Sequence, residues 1–412
     1  MIIINKPYIE KNDEGGRLIA EIQIGDQLPQ KVWYSVENDY IDYFCYEKAD
    51  AFLIMLLPYA MASAQDIVIK GAPISENIYW SLTRDFIPTL AKFSNLYKEI
   101  HIESDITNIC FNSSAVGTGF SGGVDSFYTV LRNHKTNTPD CNLTHLTFFN
   151  VGACGYGTDF YGKNAREVFN RRYEQFKPVV EKLGLKFIKI DSNVYEFVPM
   201  TYNWIHSYRS MSAVLALQKL FKKYYYSSAG PLSFFSLDHH SSGFHDLLNT
   251  RAFSTESTDF YSVGLWESRI EKTEYISNYD ITYGVLNVCN FHDTNCRVCD
   301  KCIRTMGGLY ALKKLDKYSN VFDVDYFKKH LVGNLSKIIA KSYDGSVEAK
   351  YNKEIISKMR ENNLHVPSAS YLIAVPSIMF GKIQKLARKS KYLTKKNHQR
   401  LNKQRGLYFN DI

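Results

Sequence analysis

Between residues 114 and 290 the chain alternates strand-like and helix-like segments, and no other feature restricts its fold as strongly. AVGTGF (115–120), LTHLTFFNV (143–151), KFIKID (186–191) and YYYSSA (224–229) have the apolar, β-branched or aromatic character of strands. The stretches between them, DSFYTVLRN, GKNAREVFNRRYEQFKPVVEKLG and YRSMSAVLALQKLFKK, have helical periodicity. This order predicts an α/β fold with a parallel sheet covered on both faces. In such a sheet, ligands bind outside the carboxyl ends of the strands, near the point where strand order reverses.

Two regions flank this core. Residues 1–112 read as an N-terminal α+β domain, with strands in RLIAEIQI, KVWYSVE, DIVIK and KEIHIE and helices over 49–63 and 76–93. That unit is expected to shape substrate or to form a homodimer, and its strands can also extend the next sheet. The core is expected to span 113–318, followed by a helical region over 319–412 that ends in a basic tail.

Ser121, Gly122, Gly123, Val124, Asp125 and Ser126 lie directly between the first predicted core strand and its helix. Two glycines permit a tight turn and close approach of an anion, and two hydroxyls donate hydrogen bonds. The new helix directs its positive end at the same point. Asp125 is a candidate to hold Mg²⁺ on bound phosphates. No Walker-type GxxxxGK[ST] sequence is present.

Cys289, Cys296, Cys299 and Cys302 offer four thiolates at spacings that suit one tetrahedral Zn²⁺. An iron–sulfur cluster uses the same ligands, whereas disulfides conflict with a reducing cytosol. With four protein ligands the zinc would be structural, since catalysis needs an open position. No run reaches the roughly 18–20 apolar residues of a membrane span, and the first residues lack a signal-peptide pattern, so a cytoplasmic location is expected.

Ser-Gly-Gly-Val-Asp-Ser resembles the PP-loop of the N-type ATP pyrophosphatases. Combined with the later four-cysteine site, it is most similar to the 7-cyano-7-deazaguanine synthases and their relatives. Lys272 in EKTEYI and Arg304 after Cys302 resemble smaller elements of that family, and the likeness covers roughly 115–312. It implies that ATP is cleaved between its α- and β-phosphates, leaving AMP on a carboxylate or amide oxygen that a nitrogen nucleophile then displaces. Ser121, Gly122, Gly123, Asp125 and Ser126 would bind ATP and Mg²⁺, with Asn150 at the adenosine. Lys272 and Arg209 would steady the phosphates or the adenylate.

The sequence departs from that family where Ser207, Tyr208, Arg209 and Ser210 replace its Pro-Ala-Arg-Asn segment, so only the arginine carries over. A histidine-rich stretch, 238–246, lies where the family's substrate segment is expected, and it is a candidate source of a general base, a substrate-recognition group or a second metal site. The net charge of +8 is concentrated at one end. Residues 382–405 hold ten Lys or Arg and no acid, leaving forty basic against forty-two acidic residues elsewhere. Such a tail suits nucleic acid, an acidic partner protein or an anionic membrane surface. The nearly neutral core favours a small-molecule or protein-terminus substrate. A tRNA-thiolating enzyme, a sugar amidotransferase and a non-catalytic nucleotide-binding adaptor are the alternatives.

Overall fold

In the computed structural model the strands are β1 (Ile2–Asn5), β2 (Tyr8–Asn12), β3 (Gly15–Ile24), β4 (Gln30–Val36), β5 (Ile67–Lys70), β6 (Ile74–Ser75) and β7 (Ile102–Glu103). They continue with β8 (Ile106–Thr107), β9 (Ala115–Gly119), β10 (His145–Asn150), β11 (Lys186–Ser192), β12 (Phe221–Ser227) and β13 (Asp259–Val263). The structure describes residues 1–13, 15–154, 163–198, 200–237, 241–289, 291–346, 348–381 and 383.

All but β6 and β8, which pair with each other, join one sheet in the order β13-β12-β9-β10-β11-β4-β3-β1-β5-β7, with β2 on β3. From β13 to β11 every neighbour is parallel. The chain steps outward from β9 through β10 to β11, then returns to lay β12 on the other side of β9. Strand order therefore reverses between β9 and β12, the position where α/β sheets open a crevice.

The expected boundary near residue 112 is not a break. β4 pairs antiparallel with β11, setting Asp191 opposite Ser35 and Ser192 opposite Tyr34. Side chains fix that seam: Ser192 Oγ donates to Trp33 O at 2.6 Å and Trp33 N donates to Asn193 Oδ1 at 2.9 Å. The compact unit accordingly runs from Met1 to Cys299, and a second begins at Asp300, well before the expected 319.

The helix Asp50–Ser63 is apolar all round, and its side chains are buried almost continuously from Asp50 to Met61. A helix without a polar face must be covered on every side. It packs against the helix Tyr202–Leu215, while Tyr34 reaches from β4 to donate to Ser212 Oγ at 2.8 Å. Each buried Leu or Phe along it contributes about 1.5–3 kcal/mol.

Two predicted helices differ from expectation. The stretch 76–93 contains a wide turn, Leu82–Phe86, between α-helical ends. It lies just ahead of Pro88, which has no N–H to give to the carbonyl four residues back. The helix expected over 208–223 begins earlier, at Tyr202, and stops at Leu215; Phe221, Lys222 and Lys223 instead open β12. There Phe221 and Tyr224 are buried while Lys222 is exposed, a half-buried start to the strand of the kind aromatics favour.

The second unit is helical, as expected, with Asp300–Ala311, Val324–Lys329, Leu331–Ser342, Ala349–Glu361 and a final helical run over 368–381. Met306, Leu309, Leu335, Ile338, Ile355 and Met359 are buried in it. Among the described residues, no helix is long and apolar enough to cross a membrane.

Candidate functional site

β9 delivers the chain to Phe120, and the turn follows at once. Gly122 has φ +72°, and a Cβ there would lie 2.5 Å from the buried Phe176 ring, so only glycine fits. Its carbonyl accepts from Asn287 N at 2.8 Å. The helix Val124–Asn133 starts with Phe127 N donating to Gly123 O at 3.0 Å, so the amides ahead of Phe127 have no acceptor within the helix. Ser121 Oγ donates to Ser126 Oγ at 3.4 Å, and Ser126 Oγ donates to Gly123 O at 3.0 Å.

A cavity of about 260 Å³ opens here, with Ser121, Asp125 and Ser126 in one wall. Rings of Phe148, Phe149, Tyr202 and Tyr226 form much of the remainder. Gly122 and Gly123 shape the turn against Phe176 and Asn287 and are not part of the lining. The result is a helix N-terminus with two hydroxyls facing an aromatic chamber, which suits a group that is anionic at one end and planar at the other.

Asp125 does not present a free carboxylate. Its Oδ2 meets Arg269 at 2.8 Å and its Oδ1 meets Lys272 Nζ at 3.4 Å. Both oxygens being held by cations, the arrangement does not fit a Mg²⁺ ligand, and no step is assigned to Mg²⁺. Lys272 is buried, donates to Ser228 O at 2.8 Å, and passes so close to Gly264 that a Cβ there would lie 2.8 Å from its Cε. Burial draws its pKa down, while Asp125 opposes that shift. Lys272 thus reaches the loop through Asp125, one layer behind the cavity wall.

Arg269 was not foreseen. A signal for it exists: Ser268 and Glu271 form a capping box that starts the helix Arg269–Ile276. That start sets Arg269 and Lys272 three apart on one face.

Arg209 and Asn150 depart from expectation. Arg209 is 1% exposed and donates to Val198 O at 2.8 Å and Val151 O at 3.4 Å, bracing the backbone and not lining the cavity. The same helix offers Tyr202, His206 and Ser210 to the cavity, a four-residue spacing that misses Arg209 by one position. Asn150 turns away from the lining and donates to Asp191 Oδ1 at 2.6 Å across the β10–β11 pair. Cys154 lines the cavity, yet burial pushes its thiol up to about 12, which makes it a poor nucleophile.

Asp238, His239 and His240 of the expected histidine-rich segment lie outside the described residues. His245 lies in the core, where burial lowers its pKa to about 4; it is within 3.3 Å of Ser236 O. Asp246 is lifted to about 6 by burial, with Ser262 and the Lys272 charge opposing. The imidazole at the cavity is instead His206, whose Nδ1 lies 2.9 Å from Tyr226 Oη.

His145 is also pushed down to about 4 by burial. An unfolded histidine takes its proton near pH 6.5, so between about pH 6.5 and 4 the unfolded chain binds protons that these two folded imidazoles refuse. The contribution of these two histidines to stability therefore falls on acidification. Asp246 opposes between about pH 6 and 4, where the folded carboxyl is the better proton acceptor. The buried carboxyl of Asp50, whose pKa burial also raises, opposes in the same sense as Asp246. His145→Gln and His245→Gln are therefore each expected to make stability fall less, or rise more, between pH 7 and 4 than in the parent, measurable by denaturant unfolding at each pH.

The four cysteines come together as expected. Their sulfurs lie within 4.8 Å of one another, Cys289 and Cys302 buried and the other two partly so. Zn–S bonds of about 2.3 Å would set sulfurs about 3.8 Å apart, so modest tightening suffices. Phe291 N and Cys299 N each approach a cysteine sulfur at 3.4 Å, as amides do round metal-bound thiolates. The cluster can hold a metal ion. Arg172 Nη2 donates to Cys289 O and His292 O at 3.3 and 3.0 Å and also lines the cavity. Arg304, expected to matter here, stacks on the Tyr351 ring at 5.1 Å. The basic tail from Gln384 onward lies outside the described residues. Comparison with protein-family models, with curated proteins and with solved structures finds no match to this chain.

Proposed function

We propose that the chain is an ATP-consuming enzyme of the PP-loop class that adenylates a carboxylate or amide oxygen and passes the activated carbon to a nitrogen nucleophile. The observation that carries this reading is the Ser121–Ser126 turn at the reversal point of the parallel sheet, its helix N-terminus facing an aromatic cavity. The triphosphate meets the hydroxyls of Ser121 and Ser126 and the amides at the helix start. The base packs among the tyrosine and phenylalanine rings. Arg269 and Lys272, oriented by Asp125, supply positive potential behind the turn as negative charge collects on the leaving pyrophosphate.

The acceptor oxygen attacks the α-phosphorus, its bond to the β-phosphate oxygen breaks, and pyrophosphate leaves. Ammonia or an amine then attacks the activated carbon and expels AMP with loss of one proton. The metal at the cysteine cluster is read as zinc, structural because four thiolates fill its shell.

The test is pyrophosphate release by purified protein given ATP, Mg²⁺ and a panel of carboxylic acids, with exchange of labelled pyrophosphate into ATP to identify the acceptor. Ser121→Ala is expected to lower the rate about 10²-fold, as loss of one preorganised donor does. Lys272→Met should lower it about tenfold or more, because Asp125 loses one of its two cations. Binding of ATP without pyrophosphate release on any acid, unchanged by Ser121→Ala, would identify a nucleotide-binding adaptor instead.

A further inference from the structure

The helical run 368–381 settles on its own unit through its small side, with Ser370 and Ala374 buried. Its opposite side is apolar and faces outward: Leu372 is 72% exposed, Met379 58%, Phe380 62% and Ile383 59%, with Ile373 beside them. Positions 372, 373, 376, 379, 380 and 383 follow helical spacing, so these side chains form one stripe. The sequence repeats the spacing at Leu386 and Ala387, while Lys382, Lys385, Arg388 and Lys389 fall at intervening positions. Residues 382–405 add ten cationic side chains and no acidic one.

We propose that this segment is an in-plane membrane anchor, whose apolar stripe enters the interface of an anionic bilayer while the following lysines and arginines engage lipid headgroups. A stripe too short to span, joined to dense positive charge, is the signature of a helix that lies in the interface. A second copy is a poorer occupant, because it would add ten more cationic side chains from 382–405 and no acidic one to offset the first ten. Nucleic acid would satisfy the charge and leave the stripe uncovered.

The experiment is co-sedimentation of the full chain with phosphatidylcholine vesicles, with and without phosphatidylglycerol. Binding is expected to the anionic vesicles, to weaken with salt, and to be at least about tenfold weaker to phosphatidylcholine alone. Leu372→Ser with Phe380→Ser, both at exposed positions, should reduce anionic-vesicle binding about tenfold or more at unchanged thermal stability. Lys385→Glu with Lys389→Glu should weaken binding and flatten its salt dependence. Absence of vesicle binding at low salt overturns the proposal, as does binding that the Leu372 and Phe380 changes leave intact. A dimer that Phe380→Ser disperses, with no vesicle binding, assigns the stripe to a second copy and equally overturns it.

Discussion

Gly122→Ala is expected to eliminate detectable ATP-dependent pyrophosphate release and to destabilise the fold by about 2–4 kcal/mol. Two costs combine. The residue holds φ +72°, a conformation that costs an L side chain roughly 1–2 kcal/mol. The added methyl would also sit 2.5 Å from the ring of Phe176, which cannot give way cheaply. Phe176 is fully buried, with its ring centroid 5.5 Å from that of Phe120 and 5.8 Å from that of Phe148. Overpacking of such a core costs about 1–3 kcal/mol. The turn must shift, and Ser121 and the helix start shift with it. Thermal unfolding and the pyrophosphate assay read the two effects separately; a variant with parental activity would show that the turn does not form the phosphate site.

Removal of metal is the second large effect. The cysteine segment is tied directly to the turn, since Asn287 N donates to Gly122 O at 2.8 Å and the Asn287 side chain donates to Asp293 O. Arg171 Nη2 holds Asp293 at 2.7 Å, and Val288 N is held by Asn295 at 2.9 Å. A chelator that strips the four thiolates leaves them to repel or to oxidise, and structural zinc sites typically contribute most of the folding energy of their local segment. The expected result is a thermal midpoint lowered by several degrees and pyrophosphate release reduced about tenfold or more. Both should return when zinc is restored. Metal analysis of the purified chain should give one zinc, and Cys302→Ser should lose it. Activity indifferent to complete chelation would separate the cluster from the loop.

The alternation of strands and helices made the sheet legible from the residues, and the turn at its centre was legible from two glycines and two serines. Those signals are local, and local signals survive tertiary packing. Arg209 and Asn150 fall outside the cavity lining for a geometric reason: a residue type shows that a group can bind phosphate or adenosine, but the face it occupies depends on a neighbouring position. One step along a helix separates Arg209 from Ser210, and one step along a strand separates Asn150 from Val151. Arg269 is legible through the capping box of Ser268 and Glu271, which fixes where its helix starts. The pairing of His206 with Tyr226 joins residues twenty apart on different elements, so no sequence pattern could announce it. The join between β4 and β11 is likewise invisible locally, because nothing in either strand names its partner.

That join bears on how the protein can be divided. A fragment starting near residue 113 would lose the strand that β11 pairs with at Asp191 and Ser192, lengthening an open edge that can recruit strands from other molecules. Trimming the first hundred residues is therefore expected to yield aggregates, since those residues cap the end of the parallel sheet at β11.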